Sequence, residues 1–352
     1  MRMFQVCVCG EPLKLSEQPT PEPKGTEVLL KVLAAGVCYS DLHLADGYFD
    51  LGGGKRMSLQ DRGMKLPVTL GHENVGEVVA LGPDAKGVKI GARVLADPWI
   101  GCGTCAVCRR GDDNLCRAMR SLGVFTNGGY ATHIIVPHPC YLFDIGDLPP
   151  DRAAPLACSG VTTYGALKKV ATLKTEPTVI IGAGGLGLMC LDLHKKMGGH
   201  SAIVVDIDPV KRDAAKQAGA AATVDAKAAD AVQQIMKLTE GGAGAWAVID
   251  LVGSSASARL GYDSLIKGGK YIIVGLYGGD LTVSLPPIPM RALTIQGSYV
   301  GSQHEMKELM DLVKAKGLPD VPVATRPLDD VNAVMDQLRA GKIVGRVVLT
   351  PA

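Results

Sequence analysis

The stretch GCGTCAVCRRGDDNLC, residues 101–116, sets Cys102, Cys105, Cys108 and Cys116 in the pattern C-x2-C-x2-C-x7-C. Thiols at that density serve a disulfide knot, a reactive pair or a metal cage. A chain that returns a thiolate every three residues can wrap a tetrahedral ion, and four sulfurs leave that ion no open position. An iron–sulfur run begins with the same spacing, but no Cys-Pro follows where such a run requires it, so zinc is favoured. The intervening RRGDDN marks an exposed loop. A second set is scattered: Cys38 in GVCYSDLH, His72 and Glu73 in GHENVGE, and Cys158 in PLACSGVTTYGAL. Two thiolates and an imidazole leave a fourth position for water or an alkoxide, the arrangement of a catalytic zinc. Taken singly these residues say little, since a histidine beside a glutamate is commonly structural and a buried cysteine is commonly a small hydrophobe.

A third constellation lies in VIIGAGGLG, where Gly182, Gly184 and Gly187 form G-x-G-x-x-G after an apolar run and before a helical one. Such glycines give a tight turn, close approach of a pyrophosphate and helix packing, in that order. The next apolar run, AIVVD, ends in Asp206, about twenty residues on, where a carboxylate accepts both ribose hydroxyls. Its charge would repel the 2′-phosphate of NADP, so NAD is the expected cofactor. Lys211 is expected to reach the ribose and Arg212 to be solvated.

The elements that must position these groups change character along the chain. The first third alternates short strand-like runs, EVLLKVLAAGVC and NVGEVVALG among them, with Gly, Pro and Asp clusters and shows little helical periodicity. It reads as a compact, mainly β domain. After DLPPDRAAPLACSG, apolar runs (TVIIG, SAIVVDID, AWAVIDLVG, GKYIIVGL) alternate with helical segments such as DPVKRDAAKQAGA, the pattern of parallel βαβ units buried on both faces. From about residue 299 a helical SQHEMKELMDLVKAKG and a closing strand GRVVL are expected to return to the first domain. FQVCVCG reads as a strand carrying Cys7 and Cys9 on one face, and Cys140 and Cys190 sit in apolar sequence surroundings. The segment DGYFDLGGGKRMSLQDRGMKLP is longer than two strands need as a link, and long loops in compact domains are often functional.

At 352 residues the chain suits two domains. A net charge of +2, from 37 basic and 35 acidic residues without a polybasic run, argues against nucleic acid and anionic membrane as partners. No apolar stretch of membrane-spanning length and no export-type leader is seen, and ten cysteines in such a chain favour reduced thiols and metal ligation. The expectation is a cytoplasmic protein.

GVCYSDLH, GHE, the four-cysteine lobe, PLACSGVTTYGAL, VIIGAGGLG and GRVVL occur in the order found in zinc-dependent medium-chain alcohol dehydrogenases, which this sequence resembles over essentially its whole length. The resemblance implies an α/β chain with a GroES-like catalytic domain over 1–159 and 299–352 and a Rossmann cofactor domain over 160–298. It implies a catalytic zinc on Cys38, His72 and Cys158 with Glu73 able to exchange onto the metal, a structural zinc on the four clustered cysteines, and NAD. It places Ser40 against the substrate oxygen, Asp41 behind His72, and His43 at the outer end of a proton relay. Cofactor contacts are implied at Gly182, Gly184, Gly185, Leu186, Gly187, Asp206, Lys211, Val274, Leu276, Ser298, Tyr299 and Arg346, the last meeting the pyrophosphate. Phe49, Trp99, Leu276 and Tyr299 fall where the substrate pocket has walls. Tyr39 departs from the family pattern, standing where His or Arg often meets the pyrophosphate, and weaker NAD binding is expected from it. The expected reaction is reversible oxidation of a medium-chain, cyclic or aromatic alcohol by a homodimer or homotetramer. Rival readings are a 6-hydroxyhexanoate dehydrogenase, with Lys55 and Arg56 attracting the carboxylate, a polyol dehydrogenase, and a non-catalytic NAD-binding protein.

Overall fold

The computed structural model describes residues 1–171 and 175–351. Two sheets carry the sites. In the first, the strands run Leu142–Asp144, Arg93–Ala96, Glu73–Leu81, Val28–Gly36, Arg346–Thr350 and Val323–Pro327 in spatial order, with His133–Val136 also paired to Val28–Gly36. The closing strand GRVVL does return across the chain, since Val348 pairs antiparallel with Gly36. The second sheet is parallel, in the order Ala222–Asp225, Ala202–Asp206, Thr178–Ile181, Ala245–Asp250, Leu265–Ile273 and Thr294–Gly297. Its central strands TVII and AIVV are buried almost throughout, because helices cover both faces and every side chain must be apolar. The order reverses beside Thr178–Ile181, so a crevice opens at the carboxyl end of that strand. One apolar cluster runs through both halves, joining Ala34, Val75 and Leu95 to Ile180, Leu188 and Ile249.

Several expectations are corrected. The first strand, Arg2–Val6, ends before the cysteines; Cys7 is exposed, and Cys9 tucks under Gly47 instead of sharing a strand face with it. Of the two cysteines in apolar sequence, Cys140 is exposed, 3.8 Å from the Gln303 amide, and Cys190 is fully buried. The long loop contains a hairpin, Tyr48–Asp50 against Arg56–Ser58, whose Gly52 rests on the backbone of Gly279. An unexpected helix, Tyr39–Asp46, stands in the mainly β third. Its start is fixed by Asp41, whose carboxylate accepts the Cys38 N–H at 2.9 Å, and its end by Gly47 at φ +81°, a left-handed turn that suits glycine.

Candidate metal centres and cofactor cleft

The scattered residues meet because each stands at the end of an element. Cys38 caps the helix Tyr39–Asp46, Cys158 precedes the helix Ser159–Lys168, and His72 enters the strand Glu73–Leu81. Their ligand atoms lie within 4.8 Å of one another. Asp41 is wholly buried and sets the geometry from behind: it takes the His72 Nδ1–H at 3.1 Å on one oxygen and the Tyr130 hydroxyl at 2.7 Å on the other. With Nδ1 committed, His72 turns Nε2 toward the thiols, and that nitrogen is buried without a partner among the described residues. A hydrogen bond from Cys158 holds the Cys38 thiol well below the ordinary thiol range, against the cost of burial and with help from His72. For His72, burial pulls the imidazole down, but the Asp41 charge and hydrogen bond outweigh it and the net direction is upward.

Glu73 stands apart from the expected ligand set. One oxygen forms a short buried ion pair with Arg346, and the other accepts the Ser159 N–H at 3.2 Å. Burial pushes its carboxyl up to about 7 against the pull of Arg346. Arg346 is correspondingly buried, its side chain lying against Gly185 of the glycine loop with Nε unpartnered among the described residues. It thus reaches from the metal centre to the cofactor crevice, where the sequence reading had it at the pyrophosphate alone.

The four clustered cysteines also converge, with all sulfurs within 4.8 Å of one another. The Cys105 N–H donates to Cys102 Sγ at 3.4 Å and the Cys102 N–H to Cys116 Sγ at 3.3 Å. The Thr104 hydroxyl and neighbouring amides hold Cys102 down at about 5, as a thiolate ligand needs.

In the crevice the glycines divide the work. Gly182 turns at φ +99°, a Cβ on Gly187 would strike the Gly182 carbonyl, and a Cβ on Gly184 would meet no atom of the described residues within 4 Å. The middle position therefore faces open space at the start of the helix Gly185–Lys196, a place for an anionic group. Asp206 ends its strand and accepts the Ala183 N–H at 2.7 Å, tying the loop to the next strand. Arg212 is not solvated: its guanidinium donates to the Asp206 carbonyl at 2.8 Å and pairs with Asp225 at 3.3 Å. Lys211 is half-buried and near Gly341. Val274 and Ser298 follow adjacent strands, both buried, and Ser298 Oγ has no partner among the described residues.

Aromatic rings wall the metal centre. Trp99 lies 5.6 Å from the His72 ring and 6.4 Å from Tyr299, centroid to centroid, and its indole N–H donates to the Ala157 carbonyl at 3.1 Å. Phe49 packs on His43 at 4.9 Å and Tyr39 meets His43 edge-on at 5.4 Å. Ser40 is half-buried on the same helix, and Leu276 is half-exposed beyond the strand Leu265–Ile273.

Residues 24–147 match the model of the alcohol dehydrogenase GroES-like domain, and residues 185–315 match that of zinc-binding dehydrogenases. NAD-dependent alcohol dehydrogenases of Sulfurisphaera tokodaii and Saccharolobus solfataricus are 41% and 40% identical, each over 100% of both chains. The chain belongs to the zinc-binding alcohol dehydrogenase family. The crystal structure of the alcohol dehydrogenase from Aeropyrum pernix is 32% identical and superimposes with a TM-score of 0.90, covering 100% of both chains.

The donor sets of this dehydrogenase fit two zinc ions. Four sulfurs form a closed set, whereas Cys38, Cys158 and the unpartnered His72 Nε2 form a three-donor set with room for substrate. Sequence reasoning missed Thr162, one helical turn after Cys158, whose hydroxyl is buried without a partner among the described residues. An orphaned hydroxyl of that kind is visible only in three dimensions. Among the described residues no helix is long and apolar enough to cross a membrane.

The two metal sites predict different mutants. Cys105→Ser opens the closed set, so the protein is expected to lose one zinc and to unfold at least about 5 °C lower, through a loss of a few kcal/mol of metal-linked folding energy. Turnover of ethanol, which does not depend on the ring-binding wall, is expected to stay within about three-fold per folded molecule, since no Cys105 atom lies in the Cys38, His72, Cys158 set. Metal analysis with thermal unfolding decides this, and a Cys105→Ser protein as heat-stable as wild type would contradict it.

Proposed function

We propose that this alcohol dehydrogenase uses NAD and oxidises medium-chain, cyclic or aromatic alcohols reversibly, with Cys38, His72 and Cys158 as the catalytic zinc ligands. The observation that carries the reading is the buried, unpartnered His72 Nε2 facing two thiols under the rings of Trp99 and Tyr299. Zinc at this site supplies Lewis-acid polarisation of the alcohol oxygen. The chain's own residues do the rest. Asp41 holds the His72 tautomer. Ser40 receives the alcohol proton and His43 passes it outward, for which burial helps by lowering the His43 pKa, so the ring is neutral and able to accept. The rings of Trp99 and Phe49 beside the site favour apolar substrates over polyols.

NAD is supported by Asp206 at the strand end and by Arg212, whose guanidinium is tied to Asp225 and is not free for a 2′-phosphate. The implied cofactor contacts at Gly182, Gly184, Gly185, Leu186, Gly187, Lys211, Val274, Leu276, Ser298, Tyr299 and Arg346 belong to this proposal. So do a catalytic unit over 1–159 and 299–352 and a cofactor unit over 160–298. A cytoplasmic homodimer or homotetramer fits the edge strand Thr294–Gly297, whose residues are all exposed beside an exposed Met290 and Leu285.

The test is a panel of primary, secondary, aromatic and ω-hydroxy acid alcohols, run with NAD and NADP on wild type and Asp206→Ser. Removing the carboxylate is expected to lower the NAD:NADP ratio of kcat/KM by at least about ten-fold, the scale of a like-charge penalty. An unchanged ratio, or turnover confined to polyols, would refute the reading. Preference for ω-hydroxy acids that survives Lys55→Ala and Arg56→Ala would remove the loop from substrate recognition; Arg56 already stacks on Tyr48, 4.1 Å from the ring centroid.

A further inference from the structure

The four-cysteine lobe touches the substrate wall directly. Asn114, between Cys108 and Cys116, donates its amide N–H to the Tyr299 carbonyl at 2.9 Å. Its neighbour Asp113 accepts the N–H of Gln303, the first residue of the helix Gln303–Lys316, at 3.2 Å. Between these two anchor points stands Val300 at φ +40°. A β-branched residue in the left-handed region is a genuine outlier, and it persists only where its surroundings over-determine it. Here they do. Val300 packs on the apolar cluster shared by both halves, and Gly301 is pressed so closely to Val161 that a Cβ would collide with it. The two lobe hydrogen bonds clamp the strained residue from either side. Tyr299, held by its own carbonyl, presents its ring to Trp99 at 6.4 Å, and Trp99 presents its own to His72 at 5.6 Å.

We propose that Asn114 is a positioning residue for the reaction: from the structural zinc lobe it fixes the Tyr299 backbone and thereby sets the substrate wall and its selectivity for ring-bearing alcohols. The lobe then has a second task besides stability, and the strained Val300 turn is what transmits it. This inference rests on the reading of Tyr299 as a substrate wall, so its test must separate the two.

The experiment uses the zinc-loaded enzyme in a Trp246→Phe background, which leaves Trp99 as the sole tryptophan of two. Two quantities are read: acrylamide quenching of Trp99 emission, and the ratio of kcat/KM for benzyl alcohol over ethanol. Asn114→Ala is expected to raise the quenching constant and to lower the ratio about five-fold, the scale of one partly exposed hydrogen bond. Asn114→Asp, of nearly the same shape but unable to donate, should do the same, and it remains the decisive variant if Asn114→Ala folds poorly. In a Tyr299→Ala background, Asn114→Ala should shift the ratio no further, because the wall it positions is gone. Unchanged quenching and ratio in Asn114→Asp, or an equal shift of the ratio with and without Tyr299, overturns the inference. If Tyr299→Ala alone leaves the ratio unchanged, the wall reading itself fails; if it changes the ratio and Asn114 does not, only the inference fails.

Discussion

Cys38→Ser is expected to lower kcat by at least about a thousand-fold while NADH binding stays within about three-fold, because the loss of one metal ligand removes several kcal/mol of charge stabilisation at the reacting oxygen. Serine keeps the shape of cysteine but not the thiolate. Of the two thiols, Cys38 is the one held toward its anion, through Cys158 and His72, and a hydroxyl in that place stays protonated. The glycine loop and Asp206 are separate structures on the parallel sheet, so the cofactor keeps its contacts. Metal analysis should find one zinc per chain in place of two, and fluorescence titration with NADH should remain near wild type. Undiminished turnover in a Cys38→Ser protein that holds a single zinc would sink the assignment of the reactive metal to Cys38, His72 and Cys158. The contrast with Cys105→Ser matters here: the same substitution at the clustered site is expected to cost stability, so the pair of mutants separates chemistry from folding.

What the sequence disclosed followed from how local each signal is. The four clustered cysteines and the glycine loop are complete within short stretches, so spacing alone carries their meaning. The catalytic set spans Cys38 to Cys158, and its members, which say little singly, drew their weight from the ordered family resemblance. The helix Tyr39–Asp46 escaped because its inward face mixes Leu42, Leu44 and Ala45 with a buried aspartate, which breaks the apolar period. Arg212 read as a solvated helix residue because its partner, Asp225, belongs to the next strand and lies beyond any local pattern. Cys7 and Cys9 alternated like strand residues, but the strand ends at Val6 and the chain turns through Gly10 at φ +82°. Glu73 and Arg346 are 273 residues apart, and nothing in either neighbourhood announces that they pair.

That pair gives the second large effect. Glu73 is fully buried and Arg346 nearly so, at 0% and 7% side-chain exposure. Two charges taken out of water cost several kcal/mol each, and their mutual attraction offsets this only while both remain; deleting one partner typically costs about 3–5 kcal/mol. Above about pH 8, where a Glu73 carboxyl at about 7 is ionised, Arg346→Ala and Glu73→Gln are therefore each expected to destabilise by roughly that amount, Arg346→Ala more because it also leaves a cavity beside Gly185. Glu73→Gln with Arg346→Ala removes both charges, and the double variant should be at least about 2 kcal/mol more stable than the sum of single effects implies. Denaturant unfolding of the four proteins measures the coupling, and additive losses would mean that water already screens the pair. The position of the pair explains why a costly arrangement is kept. Glu73 follows His72 directly and accepts the N–H of Ser159, the neighbour of Cys158, so one carboxylate bears on two ligand-carrying segments. Arg346 anchors it from the closing strand, whose Val348 pairs with Gly36 two residues before Cys38. All three ligand segments thus converge on this ion pair, and the single variants are expected to release zinc from the catalytic site before they unfold. Zinc retained up to the unfolding temperature in Arg346→Ala would show instead that the pair serves the fold and not the metal.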